Sequence, residues 1–243
     1  YFFFREVRTD LNAVRPRPRF YEYRKFFPDG DVFKLEKNLY MFFIQYPFPW
    51  AKLIRTDFVK ECQLYFDLDC SNFDDNPHNL RTLLSAKNPY VVNKQFYNFR
   101  IHTKSMTQSV NPRIIGMIDA VRIMNTIYED FNVYNHFQKY YVPYKIHLIS
   151  WAFKLLPDNS KEDYYYKSKD LFKTSDFEWF INDGIWNYYG IPNIEDVYFV
   201  RLLIETDTYE DFLMKVMVTA NKPKDNESEV PPWEKISKPH LYA

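Results

Sequence analysis

The sequence predicts a mainly α-helical, irregular domain with a minor strand component and an extended arm at each end. Three observations predict this class: apolar residues recur at helical spacing through most of the chain, one segment alternates, and prolines recur in both terminal regions. We therefore expect an extended basic arm over 1–30, a mostly helical globular domain over 31–220, and an extended proline-rich tail over 221–243.

The composition is poor in glycine and rich in aromatic side chains. The 243 residues include four Gly, against 23 Phe, 21 Tyr and 5 Trp. Glycine-rich phosphate loops, dinucleotide fingerprints and nucleophile elbows need clustered glycines, and the four glycines here stand singly. Enzyme classes built on those motifs are therefore excluded. So many rings are difficult to bury in one core, which predicts exposed rings at contacts with other proteins.

Charge and hydropathy argue against two further classes of protein. Lys plus Arg and Asp plus Glu number 32 each, so no overall field attracts nucleic acid and a dedicated nucleic-acid binder is disfavoured. No stretch approaches the roughly 18 uninterrupted apolar residues that a membrane-spanning helix needs, so we expect no transmembrane helix.

The amino-terminal arm is basic and stiff. Pro16 and Pro18 fix φ and favour extended geometry. Its cations could bind a protein groove or the phosphates of anionic lipid or RNA, or could simply be solvated. The candidate anion- or partner-binding residues are Arg15, Arg17, Arg19, Arg24 and Lys25.

An amphipathic helix is predicted over Pro49–Phe66. Ile54, Phe58, Cys62 and Tyr65 share one face, and the opposite face carries polar residues that include Lys52. The polar run 67–79 is predicted to be a loop, and a short helix is expected over 80–86. Alternation over 97–101 predicts the best strand, with 197–204 as the second candidate.

The second half predicts several helices. Asn111 and Pro112 form a helix start, and the apolar repeat extends to about Tyr141, where Pro143 is expected to end the helix. A helix over 144–156 would stop at Pro157. Further helix starts are predicted at about 161 and 176, and a last helix over 209–220.

The carboxyl-terminal tail contains three candidate anchors for a partner surface. An isolated proline-rich, charged segment of this kind does not bury enough apolar area to fold alone. Trp233, Leu241 and Tyr242 would supply that area on a partner.

One short segment contains paired carboxylates of the kind that enzymes use for catalysis. In LYFDLDCS, Leu64–Ser71, Asp67 and Asp69 follow an apolar run. The string resembles the metal-binding motif of nucleotide-sugar glycosyltransferases, whose paired carboxylates hold a cation against a diphosphate. It also resembles the first motif of haloacid-dehalogenase-type phosphatases, which would make Asp67 the nucleophile and Asp69 the acid/base. Both families need the run to be a strand, whereas here it continues a helical period, which favours a solvated acidic loop.

Metal-ligand spacing is otherwise missing from the sequence. Cys62, Cys70 and His78 are spaced by eight residues, which matches no short-range zinc pattern. An EF-hand beginning at Asp67 would need glycine at Asn72 and glutamate at His78. We expect neither a metal nor a cofactor.

These features favour a non-catalytic accessory subunit of a large organellar complex, whose partners are other protein subunits. The chain begins at Tyr1 and favours amino acids with A/T-rich codons, which would fit a processed mitochondrial protein. A respiratory-chain or ATP-synthase complex, peripheral to the inner membrane and with anionic lipid at the basic arm, suits the neutral charge best. The alternatives are a metal-dependent transferase or phosphatase using Asp67 and Asp69, and a mitoribosomal protein.

Overall fold

The computed structural model describes residues 2–8, 13–16, 47–90, 92–101, 110–173, 176 and 194–220. Within these ranges the chain is mainly α-helical with a small sheet, and the predicted fold class is confirmed. The helices are α1 Thr56–Glu61, α2 Asp75–Ser85, α3 Met117–Asp130, α4 Tyr134–Leu155, α5 Asp158–Lys169, α6 Ile194–Glu205 and α7 Tyr209–Ala220. Short 3-10 helices cover Pro49–Ala51 and Pro112–Gly116.

A three-stranded sheet joins the start of the chain to its middle. β1 (Phe2–Arg8) pairs antiparallel with β2 (Ala13–Pro16) and parallel with β3 (Val92–Ile101). The parallel register runs from Phe2–Val92 to Arg8–Ile101, with irregularities in the first two steps. The strand predicted over 97–101 is thus confirmed and begins earlier. The described parts of the predicted arm are strands, and the rest of that arm lies outside the described residues.

Stacked rings attach the first 3-10 helix to the sheet. Trp50 stacks on Tyr97 of β3 with ring centroids 4.4 Å apart, and Phe48 stacks on Trp50 with centroids 4.6 Å apart. The predicted helix over 49–66 is wrong in extent, because residues 52–55 lie in no helix and only Thr56–Glu61 is α-helical.

Two helices end in the same backbone motif without a glycine. After α1, Gln63 has φ 51°, and the Leu64 amide donates to the Val59 carbonyl at 2.9 Å. After α3, Asn132 has φ 49°, and the Val133 amide donates to Tyr128 at 3.2 Å. These six-to-one bonds define Schellman caps, whose left-handed position usually holds Gly. The second cap corrects the helix predicted to continue to Tyr141.

Pro143 lies inside α4 rather than ending a helix, which corrects the second boundary. Proline in a helix interior removes one backbone hydrogen bond and crowds the preceding turn. Here Tyr141, Val142, Pro143 and Ile146 are all buried, so packing of this segment outweighs the local preference. The predicted helix over 144–156 is therefore the second part of α4. The helix after Pro157 begins at Asp158, three residues earlier than predicted.

Two further predictions are corrected. The polar run 67–79 is only partly a loop, because α2 begins at Asp75 and buries Asn76, which accepts from Tyr144 Oη at 2.7 Å. The second strand candidate, 197–204, is part of helix α6, and its apolar residues pack into the core. A short run that is apolar on all sides fits a buried strand and a buried helix equally well. The helix start predicted at 176 lies almost entirely outside the described residues.

Three of the buried core tyrosines, Tyr141, Tyr164 and Tyr165, have hydroxyl groups with hydrogen-bond partners. Tyr164 donates to the Ile149 carbonyl at 3.1 Å, and Tyr165 donates to the Thr206 carbonyl at 2.7 Å. The rings of Phe212, Phe199 and Phe153 form one cluster beside Tyr165, in which neighbouring rings meet edge to face or at a tilt. Each ring contributes a large buried area, while its hydroxyl, where present, avoids the cost of an unpaired polar group.

Across the described ranges, none of the helices has the length and apolar content needed to cross a membrane.

Replacing Gln63 by Gly is expected to raise the free energy of unfolding by roughly 0.5–1 kcal/mol. The left-handed conformation costs an L-residue about 1–2 kcal/mol, and part of that gain is lost to the greater freedom of an unfolded glycine. Asn132→Gly should gain less, because asparagine tolerates this conformation. Urea unfolding followed by circular dichroism measures both.

The control is Lys60→Gly, which lies in the last turn of α1 with helical geometry and should lower stability by about 1 kcal/mol. A loss of stability in Gln63→Gly equal to that of Lys60→Gly would contradict the assignment of the Schellman cap.

Candidate functional site

The two aspartates singled out in the sequence lie on a loop. Both carboxylate oxygens of Asp67 accept from the Arg81 guanidinium, each at 3.1 Å. Asp69 is exposed on the turn that follows Leu68. The run before them is neither strand nor helix over 64–67. Among the residues that the structure describes, no group of three or more His, Cys, Asp and Glu side chains could hold a metal ion.

The other predicted site residues fall mostly outside the described part of the chain. Arg15 lies in β2, in register with Glu6 of β1. Arg17, Arg19, Arg24 and Lys25, and the tail residues Trp233, Leu241 and Tyr242, lie outside the described residues. Their roles in binding partners or anions stay predictions.

A surface pocket of about 620 Å³ lies where the segment 52–61 meets the end of α2 and the start of β3. Pockets that hold small molecules commonly measure about 300–1,000 Å³. Apolar atoms dominate its wall, with Leu53 and Phe96 exposed at its rim. The charged residues of the wall are Lys52, Arg55, Lys87, Asp57 and Glu61.

Lys52 is the unusual residue of this pocket. Only 8% of its surface is exposed, and its Nζ donates to the carbonyl groups of Pro47 and Phe48, each at 2.8 Å. Burial lowers the pKa of Lys52 to about 7, against the raising effect of the charge on Asp75. An ammonium group in this position is therefore held at a cost in desolvation.

A polar face of α2 lies beside Lys52. Burial and the neighbouring charge of Asp74 raise the pKa of Asp75 to about 6. Burial, followed by the charge of Lys52, lowers the pKa of His78. The Thr82 hydroxyl, which belongs to the pocket wall, donates to the His78 carbonyl at 2.7 Å. The spacing of three and four residues places these groups along one side of the helix.

Two atoms on that helix are buried without a hydrogen-bond partner. They are Nδ1 of His78 and Oδ1 of Asn79. The His78 ring is otherwise engaged, because it stacks on Phe66 with centroids 4.2 Å apart. Buried polar atoms are normally paired, so this side of α2 retains unused capacity for hydrogen bonds.

No sequence pattern predicts this site, because the predicted helix over 49–66 puts Lys52 on its polar face. That expectation is corrected. Pro47 and Pro49 set up a 3-10 turn whose carbonyl groups need donors, and Lys52 folds back onto two of them. A lysine three residues after a Pro-x-Pro segment is too common a pattern to have predicted its burial.

A second polar cluster joins α4 to α6. The buried carboxylate of Asp196 accepts from Ser150 Oγ at 2.7 Å and Lys154 Nζ at 2.8 Å, and contacts His147 Nδ1 at 3.2 Å. Burial acts to raise the pKa of Asp196, but hydrogen bonds from the three side chains outweigh it and hold the pKa below its ordinary value. The Ser150 hydroxyl bonds to the carboxylate rather than to the imidazole, so this is not a nucleophile–base pair.

The third cluster is a buried ion pair. Lys145 Nζ lies 2.9 Å from Asp176 Oδ2 and also donates to the Leu171 carbonyl at 2.9 Å. The rings of Tyr141 and Phe172 lie within cation–π distance of the ammonium group. These contacts join residues of the helical body to one another, so we assign the cluster a structural role.

The chain matches no protein-family model, no curated protein and no solved structure. The site must therefore be interpreted from its own chemistry. Of the three clusters, only the one at Lys52 places a buried charged residue in the wall of a cavity. It is the candidate binding site.

The free energy of unfolding should rise between about pH 7 and pH 10.5 through Lys52. In that interval the unfolded lysine binds a proton that the folded lysine has released, so stability increases with pH by up to about 1.4 kcal/mol per pH unit. Below pH 7 both states are protonated and the slope vanishes. Lys52→Met, measured by urea unfolding across this range, should lose the slope.

Lys87→Met is the control, because Lys87 lies in the wall of the same pocket but is exposed. The ionisation of Asp75 affects the free energy of unfolding in a separate pH range. Since burial raises the pKa of Asp75 in the folded protein to about 6, above its ordinary value of 3.8, its contribution to stability is lost as pH rises from about 4 to 6. An unchanged slope above pH 7 in Lys52→Met would contradict the buried ammonium group.

Proposed function

We propose that the protein is a non-catalytic accessory subunit of a large multiprotein complex, which it joins through exposed apolar surfaces. The observation that carries the proposal is the grouping of large, exposed apolar side chains at two places on an otherwise well-packed body. Exposed patches of this kind mark sites of interaction in soluble proteins.

The first surface is the loop that holds the Asp67-x-Asp69 string, which we call the Leu68 loop (residues 65–69). Leu68 is 100% exposed and Tyr65 is 59% exposed. The loop is held in place, because Arg81 binds the Asp67 carboxylate with two hydrogen bonds. A fixed apolar side chain between two acidic residues suits a protein pocket with a polar rim better than a lipid surface.

The second surface is the aromatic rim of the pocket. Leu53 is 88% exposed and Phe96 is 63% exposed, and both lie in the pocket wall. Tyr90, which also lies in the pocket wall, adds a partly exposed ring. Aromatic side chains at the centre of an interface contribute more binding energy than most other residues.

The clusters of titratable groups favour binding over catalysis. Arg81 occupies the carboxylate that a transferase or phosphatase would need at Asp67, and the Asp196 and Lys145 clusters tie helices together. The composition supports an organellar assembly: scarce glycine, abundant Phe and Tyr, and a balance of 32 cationic and 32 acidic residues. On that basis we propose a mitochondrial complex of the respiratory chain or ATP synthase.

Leu68→Asp should detach the chain from its particle while leaving the helical body folded. The substitution places a charge where the partner would bury an apolar side chain, which commonly costs an interface 2 kcal/mol or more, on the order of a thirtyfold loss of affinity. The measurement is sedimentation of the tagged, full-length chain in detergent extracts, together with its circular dichroism spectrum.

Lys60→Asp is the matched control, because Lys60 is an exposed polar residue of α1. It should remain on the particle. Migration of the unchanged chain at the mass of a single molecule would refute the proposal. Co-sedimentation with ribosomal RNA that is lost at high salt would instead favour the mitoribosomal alternative.

A further inference from the structure

The tip of the Leu68 loop is a turn fixed by hydrogen bonds. The Cys70 amide donates to the Asp67 carbonyl at 3.2 Å, which closes a β-turn with Leu68 and Asp69 at its two central positions. Cys70 is buried behind the tip, and the Asp67 carboxylate is bound by Arg81. Because both ends of the turn are anchored, Leu68 loses little conformational entropy when a partner binds it.

The segment that contains this turn is acidic. Residues 61–75 include five Asp and Glu side chains and no Lys, Arg or His. Arg81 neutralises Asp67, whereas Asp69 is exposed and forms no ion pair in the part of the chain that the structure describes. An unpaired carboxylate therefore follows Leu68, whose side chain is fully exposed, at the tip of the turn.

Other carboxylates lie close enough to act on the base of the turn. Burial raises the pKa of the Cys70 thiol to about 12, and the charges of three nearby carboxylates act in the same direction. These are Asp74, Asp119 and Asp67. The electrostatic potential around the exposed Leu68 side chain is therefore negative.

The sign of this potential narrows the kind of partner. RNA and anionic lipid surfaces carry negative charge, so Asp69 would repel both. A neutral rim would remove water from Asp69 without giving it a partner, which costs free energy. A rim of Lys or Arg side chains would instead pair with Asp69 while Leu68 enters an apolar pocket.

We propose that the Leu68 loop binds a protein subunit whose apolar pocket takes Leu68 and whose basic rim pairs with Asp69. The inference rests on the assembly proposed above and deepens it, because it names the chemistry of the partner at one of the two surfaces. Leu68 contributes apolar burial, whereas Asp69 contributes an attraction that salt screens. The two contributions can therefore be measured separately.

The test measures by sedimentation how tightly purified, tagged full-length chains rebind the particle in detergent extracts, at about 0.05 M and about 0.5 M KCl. Asp69→Lys should weaken the apparent affinity roughly tenfold or more at low salt, because like charges then face each other, and less than about threefold at high salt. Asp69→Asn should show a smaller loss with the same dependence on salt. Leu68→Ala should weaken binding roughly tenfold at both concentrations.

Glu162→Lys is the matched control, because Glu162 is an exposed acidic residue of α5, and it should change the affinity less than about twofold. Circular dichroism checks that each variant is folded. If Asp69→Lys binds as tightly as the unchanged chain at low salt, or binds more tightly, the basic rim is refuted and the assembly stands. A loss that is equal at both salt concentrations would refute the rim in the same way.

Two further outcomes concern the class of partner. Association should survive treatment of the extract with ribonuclease, and its loss would assign the surface to RNA and overturn the inference. If the unchanged chain sediments with no particle at either salt concentration, the assembly itself is refuted and this inference falls with it.

Discussion

Helix α4 is the element on which the helical body depends, and the buried carboxylate of Asp196 is the interaction that fixes its main neighbour. Three donors from successive turns of α4 converge on that single group and tie α6 to α4. The same helix carries Lys145, paired with Asp176, and Tyr141, which approaches Asn125 of α3. Removing one partner of such a buried set leaves an uncompensated polar group, which commonly costs about 3–5 kcal/mol. Specific polar contacts therefore position helices whose apolar faces alone would allow several arrangements.

Because glycine is scarce, other residues occupy backbone positions that glycine usually fills. Gln63, Phe73 and Asn132 all adopt positive φ, a region that glycine enters without steric cost. Phe73 is the most demanding of the three, since a bulky side chain is rare there. Its ring packs edge-on against Trp151 at 5.8 Å, and its carbonyl accepts from Asn76. Tertiary contacts thus maintain conformations that the local sequence disfavours.

Periodicity predicted the existence of most helices, whereas boundaries and buried polar groups required the tertiary structure. The cap at Asn111 was readable because its side chain accepts from the Arg113 amide at 3.0 Å, a strictly local bond. The end of α3 could not be predicted, because nothing in the sequence distinguishes Asn132 from a polar residue inside a helix. Asn76 and Lys52 were assigned to solvent for the same reason: their partners, Tyr144 and the carbonyl groups at 47 and 48, are set by the fold. The candidate site could not be predicted from spacing, because burial rather than pattern makes it unusual.

Gly116 shows how the exposed loop and the helical interior are joined. A Cβ atom at this position would lie 3.0 Å from Ser71 Oγ and 3.1 Å from Asn72 Cβ, so the backbone before α3 touches the segment that follows the Leu68 loop. Such close approach leaves little room for either part to move without the other. By thermodynamic linkage, a molecule that binds the Leu68 loop of the folded protein also raises the melting temperature of the helical domain. A thermal-shift measurement would therefore report binding at the Leu68 loop, even when the bound partner carries no chromophore.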